Sequence, residues 1–408
     1  MLRSLISATP GRLHLYKGVA SLFMLRLLQL AMGLAATYFL ARSMSKEAFG
    51  EYNAALNAIG IVGVTALTGL NNSLMQAVAR GHLGTFRAVV PIAFGGSCLG
   101  GGLLAIGGWY LADASVTLAS GYLFAALLFP FAHGLTQWKS MVVGQERFTS
   151  LLYYDGGSSV LTYGLVILSV LYWPGEYIFP IIMTLLVPAL YNIVLTAIEY
   201  RKVPRDACVE AQNVRYGIRT TLYSGLGAIG ANVDRILLFW FMSPVALALF
   251  VAAGRIPDLL SAAMQDVAAV IAPRLAKHEN YTKRVDWIFS LISMCYGVAT
   301  IALAFLGIPV LLPLLFGSNY VDAVPYAQAL TCSIAIGTLA NFRFRYIRSR
   351  IDERGFRDIT LVSSAVRVVA FLVLVPPFGI VGAVVAMFIY RLSLVLIVRT
   401  VIKRHYAV

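Results

Sequence analysis

Ten charged residues fall inside stretches of this 408-residue chain that are otherwise apolar. Six are arginines, Arg26, Arg219, Arg235, Arg255, Arg367 and Arg391. Four are aspartates, Asp155, Asp234, Asp258 and Asp266. At the centre of a bilayer each such charge, if it faced lipid, would cost about 2.5–3.5 kcal/mol on insertion scales. Ten of them cannot all face lipid. They must face one another, an aqueous cavity, or the interface by snorkelling. The excess of arginine favours an anionic guest, and the planar guanidinium fork suits phosphate or carboxylate.

The elements that carry these charges follow from composition. The chain is 59% hydrophobic and 12% charged, with a mean hydropathy of +0.80. Soluble proteins carry roughly 25% charged residues, so this balance describes a polytopic membrane protein. About 20 apolar residues cross a bilayer as a helix. Candidate spans lie at 18–41, 52–79, 88–112, 117–139, 151–173, 177–199, 216–241, 244–273, 286–315, 323–343, 359–376 and 380–400. The expectation is an all-α membrane protein of about twelve transmembrane helices.

Charge sets the orientation. With the N-terminus in the cytoplasm, the cytoplasmic segments hold 24 basic residues, and the opposite side holds two, Arg42 and Lys46. That asymmetry places both termini in the cytoplasm. All five tryptophans (Trp109, Trp138, Trp173, Trp240 and Trp287) fall near proposed helix ends, where interfacial belts form. The net charge of +14 therefore marks a membrane side, and no nucleic-acid partner is expected.

The polar segment 201–215 divides the spans six and six. The expected lobes are 1–200 and 216–408, joined by a cytoplasmic linker at 201–215. A repeat offset by 198 residues agrees with that division. Met44-Ser45 precedes Tyr52, Ala54 and Ala55, while Met242-Ser243 precedes Phe250, Ala252 and Ala253. Two equivalent halves are a common plan of secondary transporters.

Depth and helical phase then sort the charges. Arg219 lies one turn from a cytoplasmic helix end, a snorkelling position. Arg235 is about 9 Å from the outer end and Arg26 about 12 Å from the cytoplasmic end, at 1.5 Å per residue. Arg255, Arg367 and Arg391 are near mid-depth, and Arg255 is the strongest candidate. Small-and-polar stripes accompany the charges. Arg26, Gln29, Gly33 and Thr37 share a face of the first span; Ser224, Ala228, Ala231 and Arg235 share one in the seventh; Arg255, Asp258, Ala262, Asp266 and Ala269 share one in the eighth.

The local expectation for Arg255 is an i,i+3 pair with Asp258. Asp234 and Arg235 are about 100° apart on a helix. Asp234 is expected to reach a neighbouring helix while Arg235 faces a cavity or the outer interface. Asp155, in YYDGG, suits an interhelical hydrogen bond or a proton-coupling carboxylate. The resulting site has Arg26, Arg235, Arg255, Arg367 and Arg391 as substrate-binding cations. Asp234, Asp258, Asp266 and Asp155 are their charge partners or coupling groups.

Motifs for other chemistry are missing from the sequence. No GxxxxGK[ST] phosphate loop occurs, and no HExxH or GxSxG. The four cysteines are widely spaced, with no CxxC. No enzyme activity, metal or cofactor is expected.

Three stretches carry a recognisable pattern. FLARSMSKEAFGEYNAA (39–55) has Ala41, Arg42, Glu47, Phe49, Gly50 and Tyr52. NVDRILLFWFMSPVALALFVAAGRI (232–256) has Asp234-Arg235 and an aromatic-x-Ala-Ala before Arg255-Ile256. FGSNYVDAVPYAQAL (316–330) has a Phe-Gly-x-x-Tyr turn. Together they resemble the polysaccharide (O-antigen type) flippases of the multidrug/oligosaccharidyl-lipid/polysaccharide exporter superfamily. Phe250 stands where tyrosine is frequent in the family, and some relatives have fourteen spans. The resemblance implies two six-helix lobes around a central cavity in the bacterial inner membrane. It also implies translocation of a polyprenyl-pyrophosphate-linked oligosaccharide to the periplasmic leaflet by alternating access, beside other polysaccharide assembly proteins. The alternatives are an ion-coupled small-molecule or drug exporter of the same superfamily, or a membrane-integral polysaccharide polymerase or ligase.

Overall fold

A computed structural model describes residues 10–113, 115–278, 282–349 and 353–406. Among these residues the secondary structure is helical, without strands. Fourteen α-helices follow in order: α1 (Pro10–Ser43), α2 (Lys46–Val62), α3 (Gly69–Ala79), α4 (Thr85–Leu111), α5 (Val116–Gly134), α6 (Gln137–Gly144), α7 (Phe148–Tyr172), α8 (Ile178–Lys202), α9 (Ala211–Phe241), α10 (Pro244–His278), α11 (Lys283–Leu306), α12 (Ile308–Phe316), α13 (Val324–Ser349) and α14 (Glu353–Tyr406).

Among the described residues, nine stretches are long and apolar enough to cross a membrane. The bent pair of α2 and α3 supplies a tenth, with 47° between its halves. The bend follows a 3-10 turn at Gly63–Ala66 and Leu67, whose φ of 54° is left-handed. α14 is two helices merged across a kink at Gly379, where φ is 56° and ψ is −131°. Pro376 and Pro377 cannot donate the backbone bonds a straight helix would need. A Cβ at Gly382 would lie 2.0 Å from the Leu374 carbonyl oxygen, so only glycine lets the two arms turn this tightly. Counting both arms of α14 and the 31-residue α9, the chain is an all-α, multi-pass membrane protein of about twelve spans.

The chain packs as two compact units. Unit 1 comprises Met1–Met44 and Ala58–Ser224; unit 2 comprises Ser45–Asn57 and Gly225–Val408. The division therefore falls inside α2. The segment expected as a linker is held to unit 1: Arg80 pairs with Glu210 at 2.9 Å, and Arg87 donates to the carbonyls of Tyr200 and Val203.

Unit 1 has its core around Leu70, Leu74, Phe86, Val89, Trp138 and Met141. Trp138 departs from its expected interfacial place. It is 1% exposed, and its indole donates to Asn192 Oδ1 at 2.8 Å, which satisfies the ring nitrogen inside the unit. The other four tryptophans are exposed, as interfacial residues should be.

Unit 2 is built around α13, which packs on α10, α11 and α14. The three family-like stretches meet here. Phe49 lies with its ring centre 6.3 Å from Phe316 and 6.0 Å from Tyr320. A Cβ on Gly50 would lie 1.9 Å from the Pro244 carbonyl oxygen. Gly317, at φ 90°, makes the turn between Phe316 and Tyr320. The 198-residue repeat has a matching local structure. Ser45 Oγ accepts from the Ala48 N–H and Ser243 Oγ from the Ala246 N–H, both at 3.1 Å, so each serine caps its helix.

Candidate functional site

The charges of unit 2 converge on a cavity of about 300 Å³. α9 contributes Asp234 and Arg235; α10 contributes Gly254, Pro257, Asp258, Ser261 and Gln265. α13 adds Ser333 and Asn341, and α14 adds Arg367, Tyr390 and Arg391. The α10 positions recur at intervals of three and four, so one helical face lines the space.

Neighbouring charges on α9 point to different partners. Asp234 Oδ2 accepts from Arg367 at 3.1 Å, with the two side chains 4% and 12% exposed. Its other oxygen accepts the Arg235 backbone N–H at 3.0 Å. Asp234 thus reaches a neighbouring helix, α14, as expected. The Arg367 guanidinium also lies 5.2 Å from the Tyr390 ring centre and 5.8 Å from that of Phe371. An ion pair this enclosed is firmly placed, because freeing either partner would leave a buried charge.

Arg235 is held more loosely. It donates to Asn57 Oδ1 at 3.0 Å and approaches Asp258 Oδ2 at 3.5 Å. Asp258 is 56% exposed at that contact, a geometry that contributes little to stability and exchanges readily.

Arg391 has no hydrogen bond or ion pair among the described residues, and its Nε is buried. A Cβ at Gly337 would lie 2.7 Å from its Nη1, so α13 makes room for the guanidinium by lacking a side chain there. Three arginines and two aspartates line the cavity, and Arg391 is the cation with no carboxylate within ion-pair distance, Asp258 acting on it only through space. The neutral donors and acceptors around it are Ser261, Gln265, Ser333, Asn341 and Tyr390. Such a set can hold an anionic group and bond to hydroxyls beside it.

The remaining expected residues lie elsewhere. Arg255 does not line the cavity, and its expected i,i+3 pair with Asp258 is absent, since Asp258 turns to Arg235. The middle of the lining face of α10, which runs through 254, 257, 258 and 261, lies about 100° from Arg255. The Arg255 Nε is buried and without a partner. Arg26 is exposed on α1 of unit 1. The side chain of Asp266 lies outside the described residues, as do those of Ser224, Ala228 and Ala231.

Asp155 belongs to a second polar group, in unit 1. Lys139 on α6 pairs with its Oδ1, and Gln29 on α1 donates to its Oδ2 at 3.0 Å and to Ser159 at 3.2 Å. Lys139 falls at the end of an apolar run, and sequence alone places it in a cytoplasmic segment. Asn57 gives no signal of its role in the sequence, being a single amide in α2. Among the described residues no three His, Cys, Asp or Glu side chains are grouped to hold a metal.

Residues 15–279 match the family described as "Polysaccharide biosynthesis protein". No curated protein matches the chain by sequence. Among solved structures the fold resembles the lipid II flippase MurJ in an inward closed conformation, with a TM-score of 0.73 and 13% identity over 95% of this chain and 87% of that one. It also resembles an inward-facing multidrug resistance transporter of the MATE family, MOP superfamily, with a TM-score of 0.64 and 14% identity over 95% and 99% of the two chains. A MOP superfamily transporter from Pyrococcus furiosus, whose reversed pocket polarity suggests a different function, gives a TM-score of 0.62 and 13% identity over 94% and 95%. At these identities the likeness is one of fold.

Proposed function

The chain belongs to the polysaccharide biosynthesis protein family and has the fold of the MOP-superfamily transporters, and from that premise we propose that it flips a lipid-linked oligosaccharide across a bacterial inner membrane. The cargo is a polyprenyl-pyrophosphate-linked glycan destined for surface polysaccharide of the O-antigen type. It moves from the cytoplasmic to the periplasmic leaflet by alternating access. The concentration of basic residues on one side supports cytoplasmic termini.

The observation that carries this reading is Arg391, a guanidinium with no ion pair of its own in a cavity already holding two arginine–aspartate pairs. Such a cavity favours an anionic guest over a cationic drug. Arg391 and the more loosely held Arg235 engage the anionic part of the cargo. Ser261, Ser333 and Asn341 bond to its neutral polar groups. Asp234 keeps Arg367 in place while the cavity is empty.

The test is deletion of the gene followed by analysis of lipid-linked intermediates. A flippase mutant accumulates complete repeat units on the cytoplasmic leaflet. Continued export of single units would instead point to a polymerase, and unchanged surface glycan to an exporter of other compounds. Either result would overturn the proposal.

A further inference from the structure

Arg235 is directed by a residue that belongs to a different stretch of chain. Asn57, near the end of α2, is 7% exposed, and its Oδ1 accepts from Arg235 Nη1 at 3.0 Å. This is shorter than the 3.5 Å separating Arg235 from Asp258. Asn57 is itself held in place. Ser45–Asn57 packs with unit 2. Its helix is fixed by Phe49 against Phe316 and Tyr320, by the close approach of Gly50 to Pro244, and by Lys46 at 3.6 Å from Asp322.

The chemistry of the acceptor matters more than its presence. A carboxylate at position 57 would make a stronger, charge-assisted bond to the guanidinium. It would also cancel the charge. An amide oxygen fixes the direction of the donors and leaves the cation available to a guest. Asp258, exposed and more distant, is a partner that a guest anion can displace.

We propose that Asn57 is the positioning residue of the cavity, a neutral acceptor that aims Arg235 at an anionic guest without neutralising it. The inference rests on the reading of the cavity as an anion site. It assigns a role to a single amide in the N-terminal part of the chain, far in sequence from every residue it serves.

A purely structural role makes the opposite prediction for one substitution. Asn57→Asp keeps the shape and strengthens the bond, so a structural role would leave binding intact. A positioning role requires it to fail. The detergent-solubilised full chain is titrated with inorganic pyrophosphate by calorimetry, and its melting temperature is recorded. Asn57→Asp should melt at or above the wild-type temperature yet bind pyrophosphate about tenfold more weakly or worse. Asn57→Leu should also bind weakly. The double variant Asn57→Asp/Asp258→Asn restores the charge balance around Arg235 and should recover most of the affinity.

Wild-type affinity in a well-folded Asn57→Asp protein overturns the role of Asn57 and leaves the anion reading standing. Failure of the wild-type protein to bind pyrophosphate counts against that reading instead. Surface-glycan export by the same variants in the deletion strain then decides Asn57 alone. Loss in Asn57→Asp with recovery in the double variant supports the role, and any other order overturns it.

Discussion

Three guanidinium groups share one cavity, and their partners rank them. Arg367 is locked to Asp234, Arg235 is shared between Asn57 and Asp258, and Arg391 has no ion pair. Arg391→Gln should reduce export to the level of the deletion strain while the protein still reaches the membrane, as checked by surface-glycan immunoblot and membrane fractionation. Arg255 lies off the lining face, so Arg255→Gln should lower export by less than Arg391→Gln in the same assay. Asp234→Asn strips a buried charge of its partner and should destabilise the protein by about 3–5 kcal/mol, read as a lower melting temperature in detergent. Replacing both partners, Asp234→Leu with Arg367→Met, should recover much of that stability but not export. The divergence of Asp234 and Arg235 was legible in sequence because the 100° step between neighbours is a property of any helix. The partner of Asp258 was not, because a tertiary cation from α9 competes with the local one three residues away.

At the scale of elements, the sequence marks some breaks in the helices and hides others. The break in α14 carries its own signals, two prolines and a glycine at positive φ. The bend between α2 and α3 has no proline, and Leu67 takes a left-handed conformation that nothing in its type foretells. Likewise a stripe of small residues marks a close helix contact as readily as a cavity wall, which is why the face of α10 chosen from sequence is displaced by one residue. Gly50 shows the contact case. Its neighbour is the backbone carbonyl of Pro244, which cannot swing aside as a flexible side chain could. Gly50→Leu should therefore cost about 3 kcal/mol or more, measured as a fall in melting temperature. Gly60 has nothing within reach of a Cβ, so Gly60→Ala should melt within a few degrees of wild type in the same measurement.

For the molecule as a whole, the two units are not two consecutive halves. The 198-residue repeat and the matched serine caps suggest a simple duplication. Yet Ser45–Asn57 is built into the unit formed by Gly225–Val408. Hydropathy can count spans, but it cannot assign a helix to a core, because that depends on contacts made far along the chain. A fragment beginning at Ala211 should be degraded when expressed alone. Co-expression with residues 1–210 should raise its steady-state level, as followed by immunoblot of membranes. The same feature bears on biogenesis. Phe49 and its neighbours leave the ribosome well before α12 and the turn after it, whose aromatic rings they pack against. The segment must wait for these aromatic partners, so its packing in unit 2 is completed only when the last third of the protein is being made. A ribosome that stalls before Phe316 leaves Phe49 without the aromatic rings it packs against, although Arg235 and Pro244 are already in place.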